Sequence, residues 1–312
     1  MAPDVGRLLA PFLVALSCIA CGDGAGGEGD AGSGGDGATD LPAVAATPGR
    51  AEYTFRYDGL ERYFIVYVPE GHVPARPLVV VLHGGGGSAR QMFRGHPLTE
   101  AADERGWVVV AAQGMALDGD PASFGWNGQA VFDSGVDDVG YLTAVIVAVS
   151  DALEIDPGRR YVAGFSGGAS MAVRFGAEAS EHVTAIGTFA GKVGLSLDGG
   201  PFIFPAVPST PLSVQMTYGT EDPNYEGELN DGVQATSARA GIEWWRDSLR
   251  CSSLPETATD GVLTSDTYPG CTGGTLVRMV TIEGMGHTWP ELPDDPIAGT
   301  PLLFDFFDQL EP

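Results

Sequence analysis

The sequence has little positive charge. It holds 16 Lys and Arg against 41 Asp and Glu, which gives a net charge of −25 over 312 residues. Nucleic acids and anionic membrane surfaces would repel such a chain, so we expect neither as a partner. The sequence also lacks a metal-ligand cluster, a phosphate-binding loop, a dinucleotide fingerprint and an internal repeat. We therefore expect no metal and no cofactor, and chemistry that rests on side chains alone.

The apolar run at the N-terminus is too short to span a membrane. It covers Leu8 to Ala20, follows Arg7 and ends in small residues, as the core of a signal peptide does. Cys21 comes next, where bacterial lipoproteins carry their lipid. We predict a signal peptide over residues 1–21 and a lipid on Cys21, with a plain secretory signal as the alternative. Either outcome predicts a secreted or cell-surface protein, extracellular or periplasmic, whose membrane contact is through the lipid alone.

A glycine-rich stretch separates this leader from the folded part. Nine of the sixteen residues from 22 to 37 are Gly, and most of the others are Ala, Asp and Glu. Such a segment buries too little apolar surface to offset the entropy of ordering it. We predict a flexible linker over residues 22–50 and one catalytic domain over residues 51–312.

Strand and helix patterns alternate along this domain. Alternating residues at 52–57 and 62–68, joined by Asp58-Gly59, predict an opening antiparallel hairpin. Continuous apolar runs predict buried strands at 78–82, 107–112, 161–164, 185–189, 212–218 and 276–282. Helical patterns lie between them, at 98–105, 139–153, 169–179, 232–249 and 301–310. The alternation predicts an α/β fold with a mostly parallel central sheet and helices on both faces.

The segment Gly164–Gly168, with the sequence GFSGG, follows a predicted strand and opens a predicted helix. This context is typical of a nucleophile elbow, in which a strained turn lifts a serine hydroxyl above the sheet. Bulky side chains two positions to either side of Ser166 would collide, so both positions are Gly. We predict that Ser166 is the nucleophile and that its φ is positive.

A second glycine loop, His83–Gly87, follows the strand at 78–82. A loop in this place supplies a backbone N–H to an oxyanion hole, and the residue after the nucleophile supplies another. We predict Gly85 and Gly167 as the two donors, with Gly84 and Gly86 as alternatives to Gly85. We expect His83 to anchor the loop rather than to act as a base.

The base and its orienting acid follow from chain order, since the acid and then the histidine come after the serine. His287 alone among the five histidines stands in a loop after the last predicted strand. Asp222 follows the strand at 212–218 and is the predicted acid, with Glu221 as the alternative. The pair Asp137-Asp138 precedes Ser166, which is the wrong order, and we interpret Asp138 as a helix N-cap.

Cys251 and Cys271 remain after the leader is removed. In an exported protein they predict a disulfide, which would contribute about 3 kcal/mol by closing its loop. Trp126 and Trp289 are candidates to contact an acyl group or a sugar, although Trp126 fits the core equally well. Trp244 and Trp245 sit within a predicted helix and are expected in the core.

Several segments together resemble a known family. They are RYFIVYVP at 62–69, PLVVVLHG at 77–84, DDVGYL at 137–142, DP at 156–157 before RYV at 160–162, GFSGG at 164–168, GTEDP at 219–223 and GHTWP at 286–290. The chain is similar over residues 52 to 310 to secreted polyhydroxybutyrate depolymerase-like and feruloyl esterases, a carbohydrate esterase 1-like branch of the α/β-hydrolases. The resemblance implies an α/β-hydrolase fold, places Ser166, Asp222 and His287 where that family keeps its triad, and matches Cys251 and Cys271 to a disulfide of its members. Those members often carry Asn at the position of Gly167, a change that keeps the backbone N–H.

We therefore expect an extracellular serine esterase that works through an acyl-enzyme on feruloyl or acetyl esters of plant polysaccharide. Three alternatives stay open: a polyhydroxybutyrate depolymerase, a peptidase on the same fold, and a catalytically silent surface protein that binds polysaccharide. No polymer-binding domain follows residue 310, which favours soluble esters over solid polyester. The acyl group, the alcohol and the oligomeric state are not encoded in any motif of the sequence.

Overall fold

The computed structural model describes residues 41–116, 123–129, 134–227 and 233–310. The predicted signal peptide, Cys21 and most of the predicted linker lie outside these ranges, so they stay predictions. At the end of the predicted linker, Val44 is buried and the first strand begins at Gly49. Across the described ranges, no helix has both the length and the apolar character that a membrane span requires.

The predicted strands are present, with small differences at their ends. In chain order the strands are β1 (Gly49–Tyr57), β2 (Leu60–Val68), β3 (Leu78–Leu82), β4 (Val108–Ala112), β5 (Met115–Ala116), β6 (Phe124–Gly125), β7 (Arg160–Phe165), β8 (Ala185–Phe189), β9 (Leu195–Leu197), β10 (Ser213–Gly219), β11 (Val233–Ala235), β12 (Glu256–Asp260), β13 (Leu263–Tyr268) and β14 (Val277–Ile282). The helices are α1 (Ala89–Gly95), α2 (Leu98–Arg105), α3 (Asp138–Leu153), α4 (Gly167–Glu178), α5 (Pro223–Glu226), α6 (Ala238–Ser248) and α7 (Gly299–Asp308).

Ten strands form one sheet, in the order β1-β2-β4-β3-β7-β8-β10-β14-β13-β12. The six strands from β4 to β14 pair in parallel, and an antiparallel hairpin extends the sheet at each edge. This confirms the predicted mostly parallel sheet and the opening hairpin. The loops after β3, β7, β10 and β14 all leave the same end of the sheet, where functional residues of such folds gather.

Helices cover both faces of this sheet, as predicted. Side chains alternate along each strand, so Val80 and Leu82 face one apolar cluster while Val79 and Val81 face the other. Helices α3, α4 and α6 pack on the first face, and α1, α2 and α7 pack on the second. Trp245 is fully buried in the first cluster, as expected.

One predicted helix is wrong at its start. The pattern at 232–249 predicted a single helix, but Val233–Ala235 forms β11, which pairs with β9, and the helix begins at Ala238. The physical reason is a cap: the Ser237 side chain accepts a hydrogen bond from the Ala240 N–H and satisfies one of the free donors of the first turn.

Candidate active site

Ser166 lies at the junction of β7 and α4, with φ of 53° and ψ of −115°. The positive φ of a non-glycine residue is the strain predicted for the elbow. A Cβ on Gly164 would collide with the backbone at Gly168 and Ala169, and one on Gly168 would collide with the carbonyl oxygens of the β3 end. Glycine is therefore required at both places, and the serine projects from the end of the sheet.

Three side chains from separate loops meet at this point. The imidazole Nε2 of His287 lies 2.9 Å from Ser166 Oγ, and its Nδ1 lies 3.0 Å from each carboxylate oxygen of Asp222. The Asp222 side chain is fully buried, while the His287 side chain is 36% exposed. The imidazole thus contacts the serine hydroxyl on one side and a buried carboxylate on the other, and it remains open to solvent.

The loops that carry Asp222 and His287 are tied together. The Glu221 N–H donates to the Met285 carbonyl at 2.9 Å, and this backbone hydrogen bond joins the two loops. Glu221 itself is exposed to solvent. Asp222 also accepts the Asn224 N–H at 2.8 Å, and the Asn224 amide donates to the Ala190 carbonyl at 2.9 Å. Asp222, rather than Glu221, is the carboxylate that the fold holds against the imidazole.

His83 anchors the glycine loop, as expected from the sequence. Its Nε2 lies 3.0 Å from the Gly114 N–H and 2.9 Å from the Gln113 amide nitrogen. A backbone N–H can only donate, so Nε2 accepts, and Nδ1 carries the proton that it donates to the Gly84 carbonyl at 2.7 Å. Burial lowers the pKa of His83 to about 4, which keeps the ring neutral near pH 7. A neutral ring is what this set of bonds requires.

This anchor fixes the direction of the next N–H. The Gly84–Gly85 peptide is planar, so a carbonyl turned towards His83 turns the Gly85 N–H the opposite way. The Gly85 nitrogen lies 3.3 Å from where a Cβ on Gly167 would stand, and no described residue accepts its hydrogen. The Gly86 N–H, by contrast, donates to the Phe124 carbonyl at 2.8 Å. Gly85 and Gly167 therefore stand side by side, and Gly86 is already engaged.

A buried ion pair supports the glycine loop from behind. Arg62 Nη2 lies 2.5 Å from Asp138 Oδ1, and the guanidinium sits 3.7 Å from the centroid of the Tyr141 ring. The other oxygen of Asp138 accepts the Asn127 N–H at 2.7 Å. The neighbouring Trp126 donates its indole N–H to the His83 carbonyl at 2.9 Å. The chain of contacts thus runs from the opening hairpin to the glycine loop.

The N-cap assigned to Asp138 from the sequence is wrong. Asp137 is the cap of α3, because its Oδ1 accepts the Gly140 N–H at 2.8 Å. Asp138 is the first residue of the helix, and its side chain points inward to Arg62. An aspartate at the start of an apolar helix can cap the helix or form a buried ion pair, and the local sequence does not distinguish the two roles. Its partner here, Arg62, lies 76 residues away in the sequence.

Trp126 and Trp289 are packed side chains. They are 8% and 4% exposed, and the Trp289 indole donates to Thr300 Oγ1 at 3.2 Å while its ring lies against His96 and Phe189. Their predicted contact with substrate stays a prediction. In the structure both side chains pack against the surrounding loops.

The predicted disulfide is present, with a Cys251–Cys271 sulfur distance of 2.01 Å.

Lys192 was not predicted as a site residue. It is the single lysine of the chain, and it lies in the loop after β8, where its N–H donates to Ser170 Oγ at 3.1 Å in the first turn of α4. Burial lowers the pKa of its ammonium, and the nearby charge of Asp222 acts in the opposite direction. Its ammonium makes no ion pair with any described residue. A lone lysine among fifteen arginines was the available sequence signal.

Comparison with known proteins shows which family and which fold this chain is similar to. The sequence pattern of the family described as "Esterase PHB depolymerase" matches residues 62–196. The "Putative esterase NocK" of Nocardia uniformis subsp. tsuyamanensis is 30% identical over 250 residues, which cover 72% of this chain and 67% of NocK. "Feruloyl esterase B" of Piromyces equi is 30% identical over 237 residues, which cover 72% of this chain but 42% of that enzyme. The chain thus spans less than half of this second relative.

Solved structures show the same fold. An acetyl xylan esterase from Aspergillus awamori superimposes with a TM-score of 0.58 at 14% identity, covering 79% of this chain and 94% of that one. At that identity the likeness concerns the fold, which is the α/β-hydrolase fold expected from the sequence. The similarity in sequence to NocK concerns descent as well. This chain belongs to the esterase PHB depolymerase family of α/β-hydrolases.

Proposed function

We propose that the protein is a serine esterase in which Ser166, His287 and Asp222 form a catalytic triad. The observation that carries the proposal is the continuous contact from Ser166 Oγ through the imidazole to the buried Asp222 carboxylate, at 2.9 and 3.0 Å. In this arrangement His287 Nδ1 carries a proton held by Asp222, so Nε2 is free to accept the proton of the serine. Asp222 also stabilises the imidazolium that forms.

The reaction has two halves. Ser166 Oγ attacks the ester carbonyl while His287 takes its proton, and the resulting oxyanion accepts hydrogen bonds from the Gly85 and Gly167 N–H groups. The tetrahedral intermediate collapses as His287 protonates the departing alcohol, which leaves an acyl-enzyme. Water, deprotonated by His287, then attacks this ester and releases the acid. Neither half requires a metal or a cofactor.

The substrates that we propose are feruloyl or acetyl esters of plant polysaccharide. Support comes from the names of relatives, which include feruloyl esterases and an acetylxylan esterase. The second candidate is an oligomer of polyhydroxybutyrate, and the description of the matching family favours it. The triad geometry serves both, because the two substrates differ in acyl group and alcohol but share the ester carbonyl.

Export, lipidation of Cys21 and contact of Trp126 and Trp289 with substrate belong to the same proposal. Cys21 lies outside the described residues, so its support is the leader pattern alone. The two tryptophans lie next to the site through His83 and His96, and any effect of them on substrate choice would act through the position of these loops.

The test is hydrolysis of methyl ferulate, p-nitrophenyl acetate and hydroxybutyrate oligomers by the wild-type protein and by Ser166→Ala. We expect turnover of at least one ester by the wild type, and a loss of several orders of magnitude in kcat for the variant. Circular dichroism establishes that the variant is folded. A wild-type protein that binds xylan but hydrolyses none of these esters would instead be the silent binding protein.

A further inference from the structure

A cavity of about 610 Å³ lies beside the glycine loop. It is enclosed by the opening hairpin on one side, by α1 on another and by the short β5–β6 pair on a third. A volume of this size is in the range of small-molecule sites and holds one or two sugar rings. Its lining combines polar and apolar surface, and the residues on which the argument rests are Glu61, Arg90, Arg94, Gln113 and Phe124.

The cavity and the predicted oxyanion loop share walls. Phe124 accepts the Gly86 N–H at 2.8 Å, and Gln113 contacts the anchoring ring of His83 at 2.9 Å. The strands of the large sheet that line the cavity are β1 and β2, and β4 and β3 lie between β2 and β7, the strand that ends just before Ser166. The wall formed by Phe124 adjoins the glycine loop, and β2 lies three strand spacings, about 14 Å, from β7, so a substrate that extends well beyond the ester bond would reach the cavity.

The charged groups of the cavity do not all neutralise one another. Arg90 forms a bidentate ion pair with Glu52, with hydrogen bonds of 3.1 and 2.5 Å, and its guanidinium stacks over the Tyr63 ring. Arg94 and Glu61 form neither an ion pair nor a side-chain hydrogen bond with any described residue. The cavity thus presents an unengaged guanidinium, which only donates, and an unengaged carboxylate, which only accepts.

This pairing of donor and acceptor selects a ligand with hydroxyl groups. A hydroxyl donates and accepts, so a sugar satisfies Arg94 and Glu61 together, and the Phe124 ring offers it an apolar face. A hydroxybutyrate unit has an acceptor carbonyl and a methyl group but no donor for Glu61. An anionic sugar would pair with Arg94 but would be repelled by Glu61. The lining therefore suits a neutral sugar better than a polyester or an acidic one.

We propose that this cavity is a glycosyl subsite, which binds a neutral sugar unit in the alcohol half of the ester. The proposal rests on the proposed esterase function and makes it more specific, since it places the polysaccharide and not the acyl group in the cavity. Arg94 and Glu61 are its recognition residues, and neither belongs to the triad or the oxyanion hole.

The experiment compares kcat/KM for two ester pairs that share an acyl group: methyl ferulate with a feruloylated arabinoxylan oligosaccharide, and p-nitrophenyl acetate with acetylated xylo-oligosaccharides. The full chain is used as wild type, Arg94→Ala, Glu61→Gln and the control Arg250→Ala, which removes an exposed arginine that follows α6 and does not line the cavity. We expect Arg94→Ala and Glu61→Gln to lose about tenfold or more on the oligosaccharide esters. On the small esters all variants should stay within about twofold of wild type.

Equal kcat/KM ratios in all four proteins would overturn the subsite. If the wild type hydrolyses none of the four esters, the esterase proposal fails, and the subsite is decided by calorimetric titration of unesterified arabinoxylan oligosaccharide. Binding that Arg94→Ala weakens and Arg250→Ala leaves unchanged would support it. Absent binding, or binding that Arg94→Ala leaves intact, would refute it.

Discussion

Asp138→Asn should destabilise the protein far more than its position at a helix start suggests. The change keeps the size and one acceptor oxygen but removes the charge that pairs with Arg62 at 2.5 Å, where the two side chains are 1% and 0% exposed. A guanidinium left unpaired in the interior typically costs about 3–5 kcal/mol. With a slope of about 3 kcal/mol per molar urea, the lower figure moves the unfolding midpoint by about 1 M.

The adjacent residue supplies the control. Asp137→Asn makes the same chemical change on the exposed cap, where it loses a hydrogen bond from the Tyr57 hydroxyl at 2.8 Å. Asn is as good an N-cap as Asp, so we expect a loss below about 1 kcal/mol. Both variants are unfolded in urea and followed by tryptophan fluorescence and circular dichroism. Equal midpoints for the two variants would refute the claim that a buried ion pair holds this part of the fold.

Three further predictions concern the loops of the site. His83 stays neutral in the folded state with a pKa of about 4, whereas an unfolded histidine takes up its proton near 6.5, so protonation favours unfolding. Stability should therefore fall by about 3 kcal/mol as the pH drops through that interval, and urea titrations from pH 7 to 4.5 should show a shallower fall for His83→Gln. Gly168→Ala should fail to fold or lose activity, because its Cβ would meet backbone carbonyls, while Gly85→Ala, with open space around it, should fold like the wild type in thermal melts. Asp222→Asn should lower kcat about 10³-fold or more in steady-state assays, because it disturbs the imidazole tautomer, and the kcat of Glu221→Gln should stay within about twofold of wild type. The reverse result would show that Glu221 is the acid.

The elements that the sequence predicted well are those with a strong local signal. The run at 78–82 is apolar throughout and forms a strand with these bounds, buried on both faces. Glycines around Ser166 predicted the elbow, because only glycine fits where backbone meets backbone. The order of serine, acid and histidine then selected Asp222 and His287 as candidates. The structure brings them to Ser166 because the parallel strands β7, β10 and β14 all end on the same side of the sheet.

Other features depend on distant partners or on polar surfaces. The hairpin of β12 and β13 was not predicted, because all five residues of Glu256–Asp260 are exposed and show no apolar alternation. The turn at Asp260-Gly261 was its one local signal. The ion pair of Arg62 with Asp138 joins residues 76 positions apart, and no local pattern reveals such a pairing. From the sequence, Trp289 was a candidate for substrate contact, but α7 and the segment between α1 and α2 cover it. These elements are distant from one another in the sequence, and only the tertiary fold brings them together around this side chain.

The central claim is that Ser166 is the nucleophile that carries the acyl group, and the most direct measurement is to find where a reagent that phosphorylates nucleophilic serines attaches. The wild-type protein is treated with diethyl p-nitrophenyl phosphate, which phosphorylates activated serines, and is then digested and mapped by mass spectrometry. We predict one equivalent of label, on the peptide that contains Ser166, with loss of esterase activity in step and no label in His287→Ala over the same period. Inactivation with the label on another residue, or full activity after Ser166 is labelled, would contradict the account.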